Sequence, residues 1–267
     1  GALLINRTTR QIALTAAGEV YLSRASAILS DLESLNEEAR EATGEAKGTI
    51  RVSAARTFGD AELGLSLVDF AKDHPDIGLD IHLDDSFVNL VEEGFDVAIR
   101  MTRLADSAMI ARRLASLDFA IVASPELLQR LGRPNHPSQI AGYPAVIDSN
   151  SRMFSNWIFR DPQTKETIPV TVSGQFTANS PVTVRAAAIA GLGLALSPTF
   201  VVRRDLESGR LVTVLDDYMP SEAGIYAVFP HRRHLPARVR LFVDYLANWF
   251  KKCDSRRLQG LSCDDRT

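Results

Sequence analysis

The turns Ala55-Arg56-Thr57-Phe58 and Asn179-Ser180-Pro181 hold the residues best suited to binding a small molecule. The first follows a strand-like run and the second opens a helical one. A helix start offers free backbone N–H groups, and arginine and hydroxyl groups beside it suit an anion. Further candidates are Arg100 and Met101 at the end of a third strand, Ser124 at a strand-to-helix junction, Asp148 at the end of a later strand and Phe200 after Ser197-Pro198. Together they could line a pocket with charge, hydroxyls and an aromatic wall. Each also has a structural use. Ser124 and Ser180 suit helix caps, Phe58 and Phe200 suit a core, and Arg56 and Arg100 suit salt bridges.

Catalysis has no comparable set. His231 and His234 flank Arg232-Arg233 at a spacing that could hold a metal, but no cysteine or carboxylate nearby completes a coordination set. His74, His82 and His136 are scattered. No G-x-S-x-G, Walker loop or post-strand G-x-G-x-x-G occurs, and Gly191-Leu192-Gly193 follows a helix, where a C-terminal turn explains it. The expectation is therefore no enzyme, no metal and no cofactor. The formal charge of -3 argues against a surface devoted to nucleic acid, so any DNA contact must be local. The local candidate is the basic ribbon Asn6-Arg7-Thr8-Thr9-Arg10, which runs into a long helical segment.

These residues are positioned by three kinds of segment. From Thr15 to about Thr43 there is no proline, and Leu22, Ala25, Leu29, Leu32, Asn36 and Ala39 follow steps of three and four. That is a coiled-coil seam, which wants a partner chain; packing on its own domain is the alternative. Thr15 can cap this helix, although Gly18 stands where a capping box would place Glu or Gln. After the glycine hinge Gly44 to Gly48, strand and helix signals alternate. Ile50, Val52 and Ala54 alternate with polar residues, Leu63, Leu67, Phe70 and Ala71 recur at helical spacing, and Ile77 to Leu83 alternates again. Strands follow at Phe95 to Arg100, Met109 to Leu114 and Phe119 to Ala123, and the βαβαβ order implies a parallel sheet covered by helices.

Ser124-Pro125-Glu126 and Ser180-Pro181 are strong helix starts, and they frame a second alternating region with strands near Ala145 to Asp148, Trp157 to Phe159, Ile168 to Phe176 and Leu194 to Leu196. A strand at Ile225 to Phe229 and a helix at Pro236 to Phe250 suggest a return to the first region. The expected fold class is α/β, with two lobes joined by crossings near Ala123 and Glu222 to Ile225. The expected segments are a ribbon over 1–14, a helix over 15–44, lobe 1 over about 48–123 and 224–250, and lobe 2 over about 124–223. A disordered tail is expected over 251–267, with Cys253 and Cys263 as free thiols. No run of about 18 apolar residues and no signal peptide is visible, which points to the cytoplasm and to no membrane partner.

At this point the sequence resembles the LysR-type transcriptional regulators over nearly its whole length. Leu4 to Gly18 resembles the wing and linker of that family, L-x-N-R-T-T-R-x-x-x-L-T-x-A-G. Gly48-Thr49-Ile50-Arg51-Val52-Ser53-Ala54 resembles the first strand of its effector domain. Val91 to Arg100 is similar to its L-x-x-G-x-x-D-x-A-I/V-R segment. Val122-Ala123-Ser124-Pro125, Ala186 to Pro198 and Arg232 to Arg240 follow in the family's order. Singly these are weak motifs; in order they are specific.

The resemblance implies a periplasmic-binding-protein-like effector domain with a small-molecule effector between its lobes. It also implies a dimer through the linker helix, extending to a tetramer in some members, and a winged helix-turn-helix that contacts DNA. By the same resemblance Asn6, Arg7, Thr8, Thr9 and Arg10 lie along the phosphate backbone, positioning rather than reading bases. Only Gly1-Ala2-Leu3 precede the ribbon, so the expectation is a chain truncated before its recognition helix, with DNA reached through the parent protein's domain. Arg56 and Arg100 with the helix starts tilt the effector towards an organic acid. A transporter's solute-binding protein of the same fold and a dominant-negative dimerisation fragment are the rival readings.

Overall fold

The computed structural model describes residues 2–7, 12–22, 24–25, 28, 46–85, 90, 92–102, 110–151, 155–220, 223–230 and 235–258. The chain opens with a hairpin, β1 (Ile5–Arg7) antiparallel to β2 (Ile12–Leu14), with Asn6 opposite Ala13. Residues 16–22 are helical (α1). Thr15 caps this helix, its Oγ1 accepting from the Gly18 N–H at 2.9 Å and donating to the Leu3 carbonyl at 2.7 Å. Gly18 is needed for close approach, since a Cβ there would lie 2.0 Å from the Leu4 carbonyl oxygen. Of the proposed seam, Leu22 is exposed and Ala25 half-buried, while Leu29, Leu32, Asn36 and Ala39 lie outside the described residues.

Lobe 1 is built on a five-stranded sheet. β3 (Gly48–Ala54) runs parallel to both β4 (Ile77–Leu83) and β5 (Val97–Thr102). The late strand β14 (Gly224–Phe229) inserts antiparallel between β5 and β6 (Ile110–Ser116). The sheet is thus mixed, because the returning chain enters from the opposite end. Helix α2 covers it, passing from Arg56–Phe58 through a π-helical stretch, Gly59–Leu63, into Gly64–Asp73. The apolar spacing Leu63, Leu67 and Phe70 faces inward, and all three are buried with Ile50, Val52 and Val97.

Lobe 2 carries the sheet order β11-β8-β12-β7-β13. Its strands are β7 (Phe119–Ala123), β8 (Pro144–Asp148), β11 (Ser173–Ala178), β12 (Leu194–Pro198) and β13 (Val212–Val214). A separate ribbon pairs β9 (Asn156–Arg160) with β10 (Thr167–Thr171). Helices α3 (Pro125–Leu131), α4 (Pro181–Ile189) and α5 (Thr199–Glu207) complete the lobe. Both serine caps form: Ser124 Oγ accepts from the Leu127 N–H at 3.2 Å and Ser180 Oγ from the Thr183 N–H at 3.4 Å.

Several expectations are corrected. β7, expected in lobe 1, pairs instead with β12 and β13, so the first crossing is Leu117-Asp118 rather than Ala123. Its continuous apolar face suits either sheet, and only its long-range partners decide. The crossing lies beside the returning chain, with the Leu117 N–H donating to the Ala223 carbonyl at 3.2 Å. The single strand expected over Ile168 to Phe176 divides at Val172, whose N–H turns to the Ser155 carbonyl. The last helix, α6 (Ala237–Leu258), continues past Phe250 into the expected tail. Cys253 on that extension is buried and disulfide-bonded rather than a free thiol, and Cys263 lies outside the described residues.

Candidate functional site

A cleft of about 560 Å³ opens between the lobes, within the size range of small-molecule sites. Lobe 1 contributes Arg56, Thr57, Asp60, Ala61, Asp84 and Asp85, and lobe 2 contributes Asn150, Asn179, Ser180, Val182, Phe200 and Val201. The first group comes from the start of α2 and the turn after β4. The second comes from the turn after β8, the start of α4 and the start of α5. Strand ends and helix starts therefore meet where the α/β architecture places ligands.

The structure brings together Arg56, Thr57, Asn179, Ser180 and Phe200 from the sequence candidates, and sets the others back. Phe58 is buried in the lobe 1 core, stacked on Phe250 at 5.9 Å and edge-on to Phe200 at 5.7 Å, so it supports the cleft wall from behind. Met101 packs against the same core. Ser124 is buried as a cap. Arg100 is half-buried and donates to Ser53 Oγ at 2.9 Å; burial lowers its pKa, against which Asp84 and Glu93 act. Asp148 ends β8 just behind Asn150, whose backbone N–H it accepts at 2.9 Å.

The donors expected to meet an anion already have partners. Arg56 Nη2 donates to the Leu83 carbonyl at 2.8 Å. The Thr57 N–H and hydroxyl approach the two carboxylate oxygens of Asp85 at 3.3 and 3.4 Å. Asp85 thereby occupies the free N–H of the α2 start, a role the sequence reading missed. Its signal was the position, directly after an alternating strand. Asp60 and Asp84 were missed too, because nothing local distinguishes them from solvated surface acids.

Contacts also cross between the lobes. Arg203 of α5 pairs with Glu62 of α2 at 3.2 Å, and Phe200 meets Phe58. The orientation of α5 is set within lobe 2 by Asp205, fully buried and accepting from Arg185 of α4 and from Arg210, the latter at 2.6 Å. The hydrogen bonds of Arg185 lead in holding the Asp205 carboxyl below its usual range, with the nearby charges of Arg185 and Arg210 adding to that and burial opposing it.

The family model for the LysR substrate binding domain matches residues 43–251. The chain belongs to the LysR family of transcriptional regulators. An uncharacterized HTH-type transcriptional regulator of Haemophilus influenzae is 30% identical, covering 88% of this chain and 81% of its own length. The HTH-type transcriptional regulator CrgA of Neisseria meningitidis is 30% identical over 92% of this chain and 82% of its own. Among solved structures, the full-length virulence activator AphB of Vibrio cholerae superposes with a TM-score of 0.65 at 30% identity, covering 92% of this chain and 83% of that one. The structure of CrgA gives 0.64 at 29% identity, with the same coverage. For a LysR-type regulator, the two sheets are the lobes of the effector domain, and the cleft lies between them.

The hairpin β1–β2 places Asn6, exposed, on the ribbon, with Arg7 ending β1; Thr8, Thr9 and Arg10 lie outside the described residues. His231 and His234 also lie outside them. Among the described residues, no group of three or more His, Cys, Asp or Glu is placed to hold a metal ion, and no helix is long and apolar enough to cross a membrane.

Proposed function

We propose that this chain senses a small effector in the cleft between its lobes and passes its occupancy to DNA as a LysR-type regulator. The observation that carries the reading is the cleft itself, whose walls come in nearly equal part from both lobes. A ligand touching both walls favours the closed arrangement by its differential affinity, and by no other route. In this reading the helix after Thr15 pairs two copies, a tetramer being a further assembly of those dimers. Lobe closure alters the geometry of that pairing and hence the spacing of the DNA-binding domains. The place of action is the cytoplasm. Arg7 and its neighbours contact phosphate; in a protein carrying the recognition helix ahead of them, Arg7→Ala weakens binding to all sequences alike and reduces the salt slope by about 1.

The test is thermal unfolding with a mixed panel of amines, carboxylates, sugars and aromatics. A ligand at about 100 times its dissociation constant adds roughly 2.7 kcal/mol. Val182 is an exposed cleft residue on α4, so Val182→Trp fills the site without entering a core and abolishes the shift. A folded protein that no compound stabilises, or hits indifferent to Val182→Trp, would remove the reading.

A further inference from the structure

Resting on the cleft as the effector site, we propose that its ligand is a small organic cation: a protonated amine facing Asp60, Asp84 and Asp85, carried on an apolar body that packs on Phe200, Val182 and Val201. The cleft is the site, and its lining chooses the class. Among its lining residues one arginine faces three aspartates. That arginine donates to a main-chain carbonyl, and the hydroxyl and N–H of Thr57 are turned to Asp85. An incoming carboxylate would have to displace Asp85 from Thr57 while facing the remaining acids. An ammonium group meets acceptors already oriented, and charge-assisted N–H···O bonds are the stronger kind. Among the described residues neither Asp60 nor Asp85 has an ion-pair partner, so the wall's charge is not neutralised from within at those positions.

The opposite lobe agrees. Burial, opposed by the Asn150 N–H and reinforced by the charge of Asp85, raises the Asp148 carboxyl above its ordinary value. One acid of each lobe, Asp85 and Asp148, thus adds a small mutual repulsion, which a cation bound beside Asp85 lessens. An anion increases it. Phe200 supplies the face on which such a cation or its apolar body rests. The cation is organic because no three metal-binding groups converge among the described residues.

The experiment uses the full chain with matched probes: 2-phenylethylamine and putrescine against 3-phenylpropionate and succinate, by calorimetry and thermal shift. An amine is expected to bind at least about tenfold more tightly than its carboxylate match, and Asp85→Asn to lose about tenfold or more of the amine affinity. Carboxylates that bind while amines do not, with Asp85→Asn tightening them, overturn the cation and leave the cleft reading intact. If neither class binds, both fail. A second measurement needs no ligand. The double-mutant cycle of Asp85→Asn and Asp148→Asn should raise the melting temperature non-additively; strict additivity, with neither change stabilising, counts against an acid-rich cleft and so against the cation.

Discussion

The two lobes share an architecture but are held together by different means. Lobe 1 has one large core in which rings from distant parts of the chain meet, with a small cluster of Leu90, Phe95 and Ala98 apart from it. Phe70 of α2 lies edge-on to Phe242 at 5.0 Å and to Tyr245 at 5.3 Å, both on α6. Lobe 2 has separate cores on the faces of its sheet. Trp157 and Phe159 pack on one face, whereas Val184, Ala187, Ala188 and Val202 pack on the other. The second face is mainly aliphatic, with Phe176 at its margin, and its helices are also joined by the ion cluster at Asp205. Lobe 1 is therefore a frame stabilised by apolar burial rich in rings, while the part of lobe 2 that carries Phe200 and Val201 to the cleft adds a buried ion cluster to an aliphatic core.

The largest effect that breaks the comparison is removal of a frame ring. Phe70→Ala should lower unfolding free energy by roughly 3–5 kcal/mol, read from denaturant midpoints. A cost below about 1 kcal/mol would deny lobe 1 its aromatic frame. Next is Asp205→Ala, which leaves two arginines without their buried partner. Loss of such a partner costs about 3–5 kcal/mol when fully buried, and less here because Arg185 and Arg210 are partly exposed, 28% and 55%.

Acidity separates the lobes further. The Asp205 carboxyl has a lowered folded value, so its contribution is fully present above 3.8 and is lost as pH falls through that folded value. Asp205→Asn should flatten the acid limb of stability against pH, an unaltered limb counting against the ion cluster as the tie. Asp148 has the opposite sign. Its folded value is raised, so stability falls as pH rises from 3.8 through the folded value. Asp148→Asn should therefore stabilise the protein at pH 7 and not at pH 3, as melting temperatures at both would show. The smallest effect is expected at the link between lobes: Arg203→Ala removes a partly exposed ion pair worth about 0.2–1 kcal/mol. A change in the radius of gyration by small-angle scattering, at nearly unchanged stability, would identify it as a restraint on lobe spacing.

Much of this contrast could be anticipated residue by residue, and some could not. Ser124-Pro125 and Ser180-Pro181 announced their helices because a cap, a proline in the first turn and the N–H it satisfies lie within a few residues of each other. Thr15 did the same, and the glycine that spoiled its capping box proved to admit the Leu4 carbonyl. By contrast, Phe58 read equally as core or ligand contact until Phe250, far along the chain, stacked on it. Arg56 read as an anion site because the Leu83 carbonyl that accepts from it is not adjacent in sequence. Thr57 read likewise until Asp85 was seen to face it.

What the sequence alone determined was local and periodic: the strand alternation of Gly48 to Ala54, the caps, the α/β order and the ordered motifs of a LysR-type regulator. The tertiary structure alone decided which sheet β7 joins, how far α6 continues and which acids face the cleft. The physical reason is range. Caps and amphipathic faces depend on neighbours within a turn, whereas strand pairing, ion partners and the sign of a cavity's charge depend on groups that meet only after folding.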